Sequence, residues 1–156
     1  MSSSPVSAHT PVDIVAAALA RSGRATLRVR GTSMHPFLPG GAMVRITAAR
    51  RVRPGDVAVR PGLDGAGLLV HRVVAVSAAG VTTRGDALDH DDPPVTRDQL
   101  LGTVTAVAPR AFPDGLWLPT DGAIARLFGR LVGAALAPAL RRLRKLACVV
   151  GVRRGI

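Results

Sequence analysis

Between residues 25 and 108 the sequence is cut into short apolar runs by glycine and proline, and this spacing limits what the chain can fold into. The chain holds seventeen glycines and twelve prolines, and most of them stand between the runs rather than inside them. Because both residues interrupt regular structure, each element is restricted to a few residues. Within one run, Leu27 and Val29 alternate with Arg28 and Arg30, a period of two that indicates a half-buried strand. We therefore expect a mainly β domain with tight turns.

This pattern divides the chain into three segments. Residues 1–24 form an N-terminal tail and a short helix, and residues 25–110 form the β domain. Residues 111–156 form a linker and a basic amphipathic helical tail. The six expected strands of the β domain begin near Ala25, Met43, Val57, Leu68, Val81 and Leu101.

Two helices flank the predicted β domain. The first has Pro11 and Asp13 in its opening turn and Gly23 at its end, which are favourable residues for those positions. The second helix is predicted over residues 121–150, where leucines recur at helical spacing among arginines, with a break or kink at Pro138. No internal repeat is present.

The formal net charge of +11 is concentrated in the tail. Residues 121–156 hold seven arginines and one lysine against one aspartate, whereas residues 1–120 hold thirteen arginines against nine aspartates. The tail has no aromatic residue between its charges beyond Phe128 and no base-reading motif, which argues against nucleic acid as a partner. Packing on the body, binding a partner and lying on an anionic membrane surface remain open for this helix.

Export and membrane insertion have no clear signal in this sequence. The first ten residues lack the positive start and apolar stretch of a secretory signal. No segment reaches the roughly 18 to 20 apolar residues of a spanning helix. The single cysteine, Cys148, excludes an internal disulfide. We therefore expect a cytoplasmic or peripheral-membrane location.

Ser33 is the candidate nucleophile, because it follows the first predicted strand at a turn. A hydroxyl needs an adjacent base to attack a carbonyl near neutral pH. The chain has no glutamate, and its one lysine, Lys145, stands far away in the tail. The orienting acid must then be an aspartate, and the candidate bases are His9, His35, His71 and His90.

Of the four histidines, His71 has the predicted position that most requires a hydrogen-bonding or charged partner. It lies in the apolar run of residues 68–76, on the face of Leu69 and Val73, with Arg72 on the other face. Titratable groups inside such a strand need partners, and the acidic loop of residues 86–92 offers them. Two interpretations stay open from the residues: a catalytic histidine, or a buried histidine bonded to backbone atoms while Arg72 pairs with an aspartate.

Five short motifs occur in an order that resembles the signal peptidase superfamily, which also contains the self-cleaving repressors. The resemblance covers roughly residues 25–108. The motifs are Gly31-Thr32-Ser33-Met34-His35-Pro36, Pro54-Gly55-Asp56-Val57, His71-Arg72-Val73, Arg84-Gly85-Asp86 and Gly102-Thr103-Val104. The resemblance implies the signal-peptidase-like β fold of that superfamily. It also implies that the chain is of the histidine-base branch, the archaeal and endoplasmic-reticulum type.

The same resemblance implies roles for individual residues. Ser33 would be the nucleophile and His71 the general base, with the Ser33 amide as an oxyanion donor. Many relatives carry a hydroxyl residue two positions before the serine, where this chain has Gly31. The orienting acid would come from the loop, in the order of preference Asp92, Asp86 and Asp91.

The implied activity is a serine endopeptidase that cleaves a leader, signal or propeptide after small residues, without a cofactor. The alternative is an inactive module that holds an extended peptide on the same fold. A self-cleaving repressor would need a lysine base and a DNA-binding domain, which this sequence does not show. His90 among aspartates raises the possibility of a cation, but the run does not fit calcium-loop spacing. No metal site is therefore expected.

Overall fold

The computed structural model shows a mainly β architecture in the part of the chain that it describes. It describes residues 10–49, 51–65, 67–109 and 116–120, with the single positions 122, 127 and 131. One antiparallel sheet of seven strands is accompanied by one α-helix in these residues. The elements are α1 (Pro11–Ser22), β1 (Arg24–Arg28), β2 (Met43–Ala48), β3 (Val57–Pro61), β4 (Leu68–Ser77), β5 (Gly80–Arg84), β6 (Gly102–Ala108) and β7 (Leu118–Pro119), with a 3₁₀ turn at Arg97–Gln99.

The N-terminal helix α1 has the predicted ends. Thr10 caps its start, and Asp13 completes the capping box by accepting from the Thr10 backbone N–H. At the other end Gly23 adopts φ +68°, the left-handed conformation that glycine accepts at little cost. Val15 and Leu19 are four residues apart and bury the same side of α1 against the sheet.

The strand order β1-β2-β6-β3-β4-β5 leaves β1 and β5 at the two ends of the sheet. β2 pairs along one edge of β6, and the other edge is shared by β3 near its start and by β7 near its end. The six predicted strands are confirmed. β7 was not predicted, because two residues assigned to the linker are too few to show a period.

Alternation along β4 divides the core between two faces of the sheet. Val70 packs with the cluster that includes Met34, while Val73 packs with a second cluster that includes Val81. Successive side chains of a strand point to opposite faces. His71 therefore lies on the Val73 face and Arg72 on the other, as the sequence predicts.

The predicted amphipathic helix over residues 121–150 lies outside the described residues, apart from three single positions. Among the described residues, none of the helices is long and apolar enough to cross a membrane.

Candidate active site

Ser33 lies in the connection between β1 and β2, where buried neighbours hold it. Met34 and Leu38 are fully or almost fully buried in the core, and the Leu38 N–H donates to the Met34 carbonyl at 2.8 Å. This turn places Ser33, which directly precedes Met34, at the margin of the core with partial exposure. The Ser33 hydroxyl is thus held in place by core packing yet accessible to solvent.

His71 is directly aligned with the Ser33 hydroxyl. Its side chain is 3% exposed, and its cross-strand partner on β3 is the small residue Ala58. The distance from His71 Nε2 to Ser33 Oγ is 3.0 Å. This is within hydrogen-bonding range for proton transfer between a nucleophile and a base.

Asp92 completes the chain of side chains behind His71. Its Oδ2 lies 2.7 Å from His71 Nδ1 and 2.6 Å from the hydroxyl of Thr83. A carboxylate accepts but does not donate, so the proton of the neutral imidazole is on Nδ1. His71 Nε2 then has its lone pair directed at the Ser33 hydroxyl, as a general base requires.

Backbone hydrogen bonds fix the position of Asp92. Its N–H donates to the Thr83 carbonyl at 2.8 Å, and Val81 and Val95 exchange both of their backbone hydrogen bonds. The chain from Asp92 to Val95 therefore runs alongside β5. Because Thr83 also lies on the buried face of β5, its hydroxyl and carbonyl hold the acid at two points.

A backbone contact connects this loop to Ser33. The Ala87 N–H donates to the Ser33 carbonyl at 2.7 Å. Next to it, a Cβ on Gly85 would lie 2.7 Å from that carbonyl oxygen and 3.0 Å from His71 Nε2. Only a residue without a side chain allows the loop to approach the Ser33 and His71 pair so closely.

Arg72 and Asp86 form a buried ion pair on the opposite face of β4. Arg72 donates from Nε and Nη2 to the two carboxylate oxygens of Asp86, at 2.8 and 2.7 Å. Its Nη1 donates to the Gly55 carbonyl, and its guanidinium stacks over Phe37. The non-catalytic interpretation of the sequence is therefore right about Arg72 and an aspartate. His71, in contrast, bonds to side chains rather than to the backbone.

The remaining site candidates point elsewhere. Asp91 is exposed and pairs with Arg84 at 3.2 Å. His90 is exposed beside Asp89, and His35 is also exposed. His9 lies outside the described residues. Within those residues no cluster of His, Cys, Asp or Glu is arranged to hold a metal ion.

The oxyanion donors expected from the sequence concern two positions, Ser33 and Gly31. Within the described residues the Ser33 N–H has no hydrogen-bond partner, so it is available to a developing oxyanion. Gly31 adopts φ +81° and is exposed. It has no hydroxyl that could serve as a second donor.

Two contributing residues were missed by the sequence analysis. Thr83 could have been noticed, because it alternates with the half-buried positions Thr82 and Arg84 on a predicted strand next to the acidic loop. No pattern in the sequence indicated a role for Arg60. It is 3% exposed on β3, and its Nη1 donates to the carbonyl of Pro93, the residue after Asp92.

A cleft of about 450 Å³ opens beside the Ser33 hydroxyl. One wall comes from residues 27–30 and the other from residues 68–70. Among the described residues β1 pairs with β2 alone, and β4 begins to pair with β5 at Arg72. Both walls therefore present strand edges without a neighbouring strand, and Met34 and Val44 form part of the floor.

Comparison with protein-family models finds no matching family, and comparison with curated proteins finds no significant relative.

Proposed function

We propose that this chain is a serine endopeptidase of the signal peptidase type, with Ser33 as nucleophile, His71 as general base and Asp92 as orienting acid. The observation that carries the proposal is the continuous alignment from Ser33 Oγ to His71 Nε2 at 3.0 Å and from His71 Nδ1 to Asp92 Oδ2 at 2.7 Å. Three separate segments must converge to produce it. The five ordered motifs of the sequence support the same conclusion independently.

The chemistry follows from this alignment. His71 removes the hydroxyl proton as Ser33 Oγ attacks the substrate carbonyl, and Asp92 stabilises the imidazolium that forms. The Ser33 N–H stabilises the oxyanion of the tetrahedral intermediate. His71 then protonates the departing amine, leaving an acyl-enzyme ester on Ser33. Water, deprotonated by His71, hydrolyses that ester and restores the free hydroxyl.

An extended peptide is the substrate form that fits the cleft. The edges of residues 27–30 and 68–70 can bond to the main chain of a peptide lying between them. By its resemblance to the superfamily, we infer cleavage after small residues in a leader, signal or propeptide. We further propose a cytoplasmic or peripheral-membrane location, with residues 121–150 docking on a partner or an anionic membrane surface.

A peptide-binding module without catalysis is the second candidate, because the same two edges favour strand addition with or without a working nucleophile. The alignment of Ser33 with His71 favours the enzyme. A binder has no need for a hydroxyl directed at an imidazole that is itself oriented by a buried carboxylate.

The test is mass spectrometry of a peptide library with small residues before potential cleavage sites, incubated with the full chain. We expect cleavage that Ser33→Ala and His71→Ala both abolish. The matched controls are Ser77→Ala and His90→Ala, which change exposed residues that take no part in this alignment. Cleavage that survives in Ser33→Ala and His71→Ala would reject the proposal. Peptide retention without any cleavage would favour the binding module.

A fluorophosphonate probe provides a test that is independent of the substrate. It should add covalently to Ser33 in the wild type and in His90→Ala, and much more slowly in His71→Ala. Equal labelling rates in His71→Ala and wild type would contradict the role of His71 as base.

A further inference from the structure

The described sheet has charge of opposite sign at its two ends. Residues 21–53 contain eight arginines and no acidic residue, and they supply β1, β2 and the Ser33 turn. Residues 54–98 contain seven aspartates against four arginines. Because β1 and β5 lie at opposite ends of the strand order, the β1 end of the sheet is basic and the β5 end is not.

Two of these arginines lie at the cleft. Arg28 and Arg30 are exposed, and both belong to the cleft wall that leads to Ser33. Within the described residues, neither forms an ion pair; the arginine ion pairs there are those of Arg72 and Arg84. The cleft wall therefore presents uncompensated positive charge at the end of β1, whose outer edge has no neighbouring strand among the described residues.

We propose that the substrate is an acidic peptide, with Asp or Glu side chains opposite Arg28 and Arg30. This inference rests on the proposed function and names the chemical class of its substrate. Arg28 and Arg30 line the same cleft as Ser33, so they match substrate positions near the scissile bond. Opposite charges on neighbouring strands stabilise the pairing. A strand edge also bonds to peptide main chain, which favours a peptide over another polyanion.

Binding can be tested separately from cleavage in the Ser33→Ala protein. The probes are two fluorescent peptides with a central Ala-Ala pair, one flanked by Asp and the other by Asn at the same positions. We expect the Asp peptide to bind about 2- to 30-fold more tightly, the range for one or two cross-strand ion pairs. The preference should disappear in about 1 M NaCl, where screening acts over about 3 Å.

Substitutions of Arg28 and Arg30 test whether the cleft wall binds the acidic side chains of the peptide. Combining Arg28→Gln with Arg30→Gln should bring the ratio of the two affinities close to one, and Arg28→Glu with Arg30→Glu should reverse it. Arg97→Gln removes an exposed arginine in the 3₁₀ turn, outside the cleft, and should keep the wild-type ratio.

The outcomes separate this inference from the proposed function. Equal binding of the two peptides would overturn the inference even if the wild type cleaves both. A preference for Asp without any cleavage by the wild type would support the acidic ligand and count against the peptidase. Tighter binding of an oligodeoxynucleotide or phosphatidylglycerol vesicles than of the Asp peptide, lost in the double Gln variant, would assign the surface to another polyanion and overturn the inference.

Discussion

Thr83 and His71 bond to the same oxygen of Asp92. The Thr83 hydroxyl lies 2.6 Å from Oδ2 and the His71 Nδ1 atom 2.7 Å from it. Two donors on one buried oxygen limit the rotation of the carboxylate, and a rotated carboxylate would release the imidazole. Thr83 is therefore a positioning residue for the proposed catalytic set.

Thr83→Val keeps the shape of the side chain and removes its donor. We expect the free energy of unfolding to fall by about 1.5–3 kcal/mol, the range for a hydrogen bond to a charged group. The rate of peptide cleavage should fall as well. Denaturant titration and kinetics would measure both, and Thr83→Ser should recover much of the loss. Thr82→Val on the other face of β5 is the control. Equal effects of both valine substitutions would contradict the role of the Thr83 hydroxyl.

Asp92→Asn should lower kcat/KM by roughly 10²- to 10⁴-fold, because an amide no longer stabilises the imidazolium or imposes one tautomer. Asp91→Asn changes the adjacent residue, whose carboxylate is half exposed and paired with Arg84. It should retain activity within about a factor of two, as expected for a weak surface pair. A larger loss from Asp91→Asn than from Asp92→Asn would move the orienting role to Asp91.

Asp86→Asn breaks a buried ion pair and leaves the Arg72 charge without its carboxylate. We expect a loss of about 3–5 kcal/mol in the free energy of unfolding. The double variant Arg72→Met with Asp86→Leu should be more stable than Asp86→Asn, because it removes both buried charges. A double-mutant cycle on the exposed pair of Arg84 and Asp91 should give about 0–1 kcal/mol. Similar coupling energies for the two pairs would contradict this assignment.

Gly85→Ala should reduce cleavage strongly, because the added Cβ would lie 2.7 Å from the Ser33 carbonyl oxygen and 3.0 Å from His71 Nε2. Those atoms must move, and small displacements of reacting groups cost about 10²-fold in rate. Gly67→Ala is the matched control, since its added Cβ would have no atom within 4 Å. Fluorophosphonate labelling of Ser33 measures the effect without a substrate. Labelling of Gly85→Ala at the wild-type rate would show that the loop adapts.

Arg60→Met removes the donor to the Pro93 carbonyl, a bond of 2.9 Å next to Asp92. We expect kcat to fall while KM changes little, since Arg60 lies behind the acid and not among the residues of the cleft. Arg60→Lys should restore part of kcat. A rise in KM alone would argue for a role in substrate binding, contrary to this expectation.

Much of the fold follows from local pattern. Alternation at Leu27 and Val29 located the first strand, apolar runs between glycine and proline turns located the other five longer strands, and the residues around Pro11 and Gly23 located the helix ends. The absence of glutamate and of lysine near Ser33 restricted the possible base to a histidine. The motif order then singled out His71. These inferences depend on residue type and short spacing, which are properties of the chain before it folds.

The choice of acid depended on long-range pairing. Asp91 and Asp92 are adjacent, and neighbours in an extended segment point to opposite sides. Which of them points inward depends on the alignment with β5, where the Asp92 N–H meets the Thr83 carbonyl. A shift of one residue would exchange them. Arg60 likewise contacts a segment 33 residues away, which no local pattern indicates. Residue chemistry limits the candidates, whereas the register of distant segments selects among them, because hydrogen bonding and burial are satisfied only in the folded chain.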